Sequence, residues 1–196
     1  AAIRGFPVSA LQQVDPTKIT AFQTQDLAAL SAQQLSSLST AQLDALLTSQ
    51  VAALSSLAVR SLSGEQLQAM GVVSFVGLTN NQLASLNPAE LNLGALTSLQ
   101  LKGLTTTQYA SFSTDQLRSL SAITIGGIPS EGLRAISASK ITSLDPSDLS
   151  GLTSLQLQGL GSAQLSVLSS SQFGALRSAA IVGLSPSQVS VLSTAQ

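Results

Sequence analysis

The chain has 196 residues, 44% of them hydrophobic and only 9% charged, with a formal net charge of -1. This sparse, balanced charge offers no electrostatic footprint for nucleic acid. The absence of Cys and His removes disulfides, thiol chemistry, the commonest metal ligands and the usual general base. Mean hydropathy is +0.37, but Ser, Thr, Gln or Asn interrupts the apolar residues throughout, so no run approaches the ~18 that a membrane span requires.

From the first residues onward the chain is built of octads of the form [ST]-x-x-Q-L-x-x-L, as in Ser39–Leu46, Ser113–Leu120 and Ser185–Leu192. Position 5 runs Ile3, Leu11, Ile19, Leu27 and on to Leu91, resumes at Leu101 and continues to Val189. Position 8 runs from Phe6 to Leu86 and from Leu96 to Leu192. Both positions are apolar in every octad, the signature of a solenoid whose units bury their apolar faces against neighbouring units. Position 1 favours Ser, Thr, Asp or Asn, which cap helices. Gln at position 4, as at Gln34, Gln42, Gln66, Gln82, Gln116 and Gln188, completes a capping box. The sequences DPTK (15–18), NPAE (87–90) and DPSD (145–148) add Pro directly after the cap, where a helix tolerates it best. Eight residues give about one and a half helical turns and a corner, too little to be stable alone.

Position 7 is Gly, Ala or Ser almost everywhere, which suits close backbone approach. Where it is Gly, the octads GVVSFVGL (71–78), TSLQLKGL (97–104), SAITIGGI (121–128), TSLQLQGL (153–160) and RSAAIVGL (177–184) alternate apolar residues with the period of a strand. Their spacing predicts coils of three octads, about 24 residues, each with one strand-like side and two short helical turns. The expected fold class is therefore a mixed α/β solenoid in a single domain, residues 1–196, with an all-α solenoid as the alternative. An extra octad, DPSDLSGL (145–152), shifts the phase. The chain stops mid-octad at Ser193–Gln196, as a segment of a longer array would.

The stretches Leu99-x-Leu101-x-Gly103-Leu104 and Leu155-x-Leu157-x-Gly159-Leu160 resemble leucine-rich repeats, with Gly in place of that family's Asn or Cys ladder. LSTAQLDAL, LSTDQLRSL and the final LSTAQ resemble the repeat tracts of large secreted or surface proteins of Gram-negative bacteria, including haemagglutinin-type and RTX-type adhesins. That resemblance implies a secreted or cell-surface structural segment, a spacer or self-associating scaffold in adhesion. Its partners would be flanking repeats or other copies of itself.

No residue pattern points to catalysis or to a cofactor. All six aromatics, Phe6, Phe22, Phe75, Tyr109, Phe112 and Phe173, fall on position 5 or 8 and read as core. Asp145 and Asp148 form the only close acidic pair and lie at a helix start, so no metal site is expected. Lys18, Lys102 and Lys140 read as solvated surface. The remaining candidate is a weakly charged face carrying Gln100, Lys102 and Gln156, which would dock a protein or glycan if the solenoid is a binding module instead of a spacer.

Overall fold

The structure, a computed structural model, describes residues 3–196, the side chains of Arg4 and Val72 excepted. Among the described residues every element is a short helix and there is no strand. The chain divides into two compact units, Ala1–Leu91 and Asn92–Gln196. The division falls at Asn92–Leu93, the two residues that lengthen one octad to ten.

Each complete octad forms one helix of three to six residues, the ten-residue unit 87–96 forming two, Pro88–Glu90 and Leu93–Ala95, and the next octad turns a corner. Within each unit a helix packs on the third helix before it. In the first unit Thr48–Ala53 packs on Thr24–Ala28 and Ser56–Val59 on Ala32–Ser36; in the second Ser130–Ala135 packs on Thr106–Ser111 and Ser154–Gly159 on Ser130–Ala135. One coil is thus a triangle of three octads. Helices this short have more unpaired end groups than internal hydrogen bonds, so capping decides whether they form. Ser39, Thr97, Ser113 and Thr153 each accept a hydrogen bond from the backbone N–H three residues on, and their own N–H donates to the Gln at that place. Asp15 and Asp145, each followed by Pro, accept instead from Thr17 and Ser147.

The core is the double row of positions 5 and 8, from Leu27 and Leu30 through Leu117 and Leu120 to Leu165 and Leu168, all buried. Tyr109 and Phe112 meet edge to face inside the second unit, with ring centroids 5.5 Å apart.

The mixed α/β expectation is overturned, and the resemblance to leucine-rich repeats ends at the coil length. All five strand-like octads are helical: Val72–Val76, Ser98–Lys102, Ala122–Ile125, Ser154–Gly159 and Ser178–Ile181. The alternating apolar residues do not share a face. Leu99, Ile123 and Leu155 at position 3 are 70%, 82% and 68% exposed, whereas Leu101, Ile125 and Leu157 at position 5 are fully buried. Residues two apart point to nearly opposite sides of a helix but to the same side of a strand. Three of these octads also keep complete caps, at Thr97 with Gln100, Ser121 with Thr124, and Thr153 with Gln156. The capping chemistry overrides the alternation. DPSDLSGL causes no phase shift: its helix, Pro146–Leu149, packs on Ala122–Ile125 and under Ser170–Gly174 as any other octad does.

Small residues at position 7 are required by space and not by backbone conformation, since no described glycine has positive φ. A Cβ on Gly77 would lie 2.7 Å from the Thr48 carbonyl oxygen, and one on Gly159 would lie 2.6 Å from Ser130 Cβ, both one coil away.

Replacing Leu157 by Ala should cost about 2–5 kcal/mol as a buried cavity, while Leu155→Ala, two residues earlier, should stay within about 0.5 kcal/mol. Urea unfolding of the two variants checks this; equal losses would restore the strand reading.

Candidate functional site: the glutamine corners

The recurring polar side chain points inward. Gln156, which the sequence places on a candidate docking face, is only 5% exposed. Its Oε1 accepts the Thr153 N–H at 2.9 Å, and its Nε2 donates to the Ile125 carbonyl at 3.0 Å and the Ile128 carbonyl at 2.6 Å. Those carbonyls belong to the end of a helix four octads earlier, at the corner just below. One amide therefore satisfies an orphaned N–H at the start of its own helix and two orphaned carbonyls at the end of another.

The same three-way contact recurs. Gln42 joins Ser39 to Leu11 and Val14, and Gln50 joins Leu47 to Ile19 and Phe22. Gln82 reaches Val51 and Leu54, Gln164 reaches Leu133 and Ile136, and Gln188 reaches Leu157 and Leu160. Every one of these reaches spans 31 and 28 residues. The capping role follows from the sequence; the donation to the coil below does not. Its available signal was the choice of Gln at position 4, since Glu completes a capping box equally well but has no proton to donate when ionised.

At some positions where Gln is missing, another group donates to the coil below. Ser74 Oγ donates to the Leu46 carbonyl at 2.7 Å. Lys140 Nζ donates to the Ala110 carbonyl at 3.0 Å. Gly132 stands where Gln would reach the Leu101 carbonyl, and the Tyr109 hydroxyl donates to that carbonyl instead. A Cβ on Gly132 would lie 2.6 Å from the Tyr109 ring, so the glycine makes room for the tyrosine. Burial, and secondarily Glu131, pushes the Tyr109 hydroxyl above the usual phenol range, so it stays protonated as the donor.

Gln100 is likewise buried, with Oε1 accepting from the Thr97 N–H and hydroxyl. Lys102 is exposed and lines a shallow groove with Glu131, Ile128, Pro129 and Leu155. The structure thus separates the three candidate residues, Gln100 and Gln156 inside and Lys102 outside. Among the described residues no group of three or more acidic side chains is placed to hold a metal ion, and no helix is long and apolar enough to cross a membrane. Asp148 sits at position 4, accepting a backbone hydrogen bond from Ala122. Desolvation and then the nearby Asp145 carboxylate hold it above the usual carboxylate range.

The ALTTAQ repeat family matches residues 19–56 and 141–178. Read as a hexapeptide, ALTTAQ covers position 7 through position 4 of the next octad: the small residue, the core Leu, the cap and the corner Gln. Ser37–Gln42, SLSTAQ, is its counterpart here. No curated protein matches the chain. The chain is a tandem-repeat protein, and its repeat is the corner.

Gln164→Ala leaves two buried carbonyls and the Gly161 N–H without their partner, each worth about 1–3 kcal/mol when wholly unsatisfied. The expected outcome is a loss of at least that size in chemical denaturation, with Gln33→Ala, an exposed position, nearly silent. For Asp148, a folded-state pKa raised above the unfolded one means the ionised form is penalised in the fold at neutral pH. Asp148→Asn should therefore raise the melting temperature at pH 7, and the gain should vanish as pH falls below the carboxylate range. A gain independent of pH contradicts the assignment.

Proposed function

We propose that the chain is a structural repeat segment of a large exported bacterial surface protein, serving as a stiff spacer or self-associating scaffold in adhesion. One observation carries this reading: the repeat's characteristic polar residue is turned inward to join coil to coil, leaving no recurrent polar group dedicated to a ligand. The resemblance of LSTAQ-type octads to adhesin repeat tracts supports the surface setting, and the scattered charges support a passive role. Ser and Thr dominate the exterior, which suits a hydrated stalk.

A second reading, a protein- or glycan-binding module, is favoured by the groove that joins Lys102 and Glu131 to exposed Leu155. Glycan-array and pull-down binding abolished by Lys102→Glu would support it over the spacer.

Small-angle X-ray scattering tests the spacer directly. A compact globule of this length has a radius of gyration of about 16 Å. A stiff spacer predicts a clearly larger value with the profile of a rod; a value near that of the globule contradicts it.

A further inference from the structure

A stitched corner holds its glutamine amide by three backbone groups. At Gln164 these are the Gly161 N–H and the Leu133 and Ile136 carbonyls, the last two lying 31 and 28 residues earlier. Ala58 and Ala180 stand at position 4 in place of that Gln, and both are buried. The coils around them are in place all the same. The helix of Ala58, Ser56–Val59, packs on Ala32–Ser36 and carries Asn80–Ser85, and the helix of Ala180, Ser178–Ile181, packs on Ser154–Gly159.

Among the described residues, the groups that an amide would engage at these two corners are left over. The Ser55 N–H has no acceptor and the Leu30 carbonyl has no donor, while the Leu27 carbonyl accepts only from its own helix end. The Arg177 N–H and the Leu152 carbonyl likewise have no partners, and the Leu149 carbonyl accepts only from the Leu152 N–H. Both Leu30 and Leu152 are buried residues, where an unpaired carbonyl is costly. Thr124, Ser74 and Gly132 also replace Gln, but other atoms compensate there. Thr124 Oγ1 accepts the Ser121 N–H, Ser74 Oγ donates to the Leu46 carbonyl, and the Tyr109 hydroxyl serves the Leu101 carbonyl beside Gly132. An alanine methyl can do neither.

Each alanine corner also opens onto a cavity lined by the residues that carry the leftover groups. Ser55, Leu30, Ser31 and Leu57 line one of about 550 Å³. Arg177, Leu152, Ala180 and Thr153 line one of about 250 Å³. Cavities border Gln156 and Gln188 as well, but there the amide already holds the carbonyls.

We propose that the corners at Ala58 and Ala180 are binding sites for a primary carboxamide, the group that ends an asparagine or glutamine side chain. The fold carries its own template for the ligand, since the stitched corners hold this group on the same three backbone positions. A primary amide presents one acceptor and two donor protons on one planar group. A carboxylate lacks the donors, and an ammonium or guanidinium lacks the acceptor. The fragment by which glutamine exceeds alanine is acetamide. The proposal adds a ligand to the spacer reading and does not depend on it.

Acetamide is therefore the probe, titrated into the isotope-labelled chain while the backbone amide resonances are followed. The Ser55 and Arg177 signals should shift saturably in the millimolar range, as a ligand of so few atoms allows. The Gly161 signal, already held by Gln164, should stay in place. Dimethylacetamide, which accepts but cannot donate, should move none of the three. Ala58→Gln should abolish the Ser55 response and leave that of Arg177, and Ala180→Gln the reverse, each by filling its own site. A glutamine-centred tripeptide, run beside its glutamate counterpart, separates the two sources of the group. Saturable shifts with the glutamine peptide alone assign the sites to a side chain of another chain; shifts with acetamide but neither peptide assign them to free small amides. No shift with acetamide, or an equal shift at Gly161 or with dimethylacetamide, overturns the proposal and leaves the corners to solvent. A Ser55 response that survives in folded Ala58→Gln overturns it too, and if that variant fails to fold the dimethylacetamide contrast still decides.

Discussion

The recurring constraint in this fold is a side-chain amide that makes three hydrogen bonds at once. A helix of five residues is not a stable object in water, because its end groups remain unpaired. In each repeated corner the Gln amide pairs one N–H above and two carbonyls below. The stitch converts a weak local structure into one that exists only in a stack. Coil follows coil because the ends of one complete the ends of another.

The remaining features follow from bringing backbones together at that corner. The amide reaches only if the helices approach closely, so position 7 is small and becomes Gly where a Cβ would strike the coil below. Positions 5 and 8 fill the inside of the triangle, and no volume is left for a polar side chain that lacks a partner; no buried polar side-chain atom is unpaired among the described residues. At some corners without the amide another group donates to the coil below: Ser74 to the Leu46 carbonyl, the Tyr109 hydroxyl to the Leu101 carbonyl, and Lys140 to the neighbouring Ala110 carbonyl. Surface ion pairs contribute little by comparison: Arg118 and Asp115 meet at 3.1 Å with both side chains mostly in solvent.

Much of this was legible. The octad, the core rows, the caps at Ser39 and Thr153 and the need for small residues at position 7 all follow from residue types at fixed spacing. The strand reading failed at Leu99–Leu101, Ile123–Ile125 and Leu155–Leu157 because alternation over three residues cannot separate a strand from a helix with one exposed apolar residue. The decisive local signal was Thr97 and Gln100, a capping box inside the supposed strand. The inward turn of Gln100 and Gln156 was hidden for a different reason. A capping Gln on an isolated helix lies at the surface, and only the coil below, 28 to 31 residues away, encloses it. That is tertiary information, carried by the period and not by any one octad.

Hydrogen exchange of the glutamine side-chain amides tests the stitch most directly. In an amide-resolved NMR experiment the Nε2 protons of Gln42, Gln82, Gln164 and Gln188 should exchange far more slowly than those of exposed Gln33, since they are released only when coils separate. Exchange as fast as that of Gln33 would mean that the amides do not bridge the coils, and the account would fail at its base.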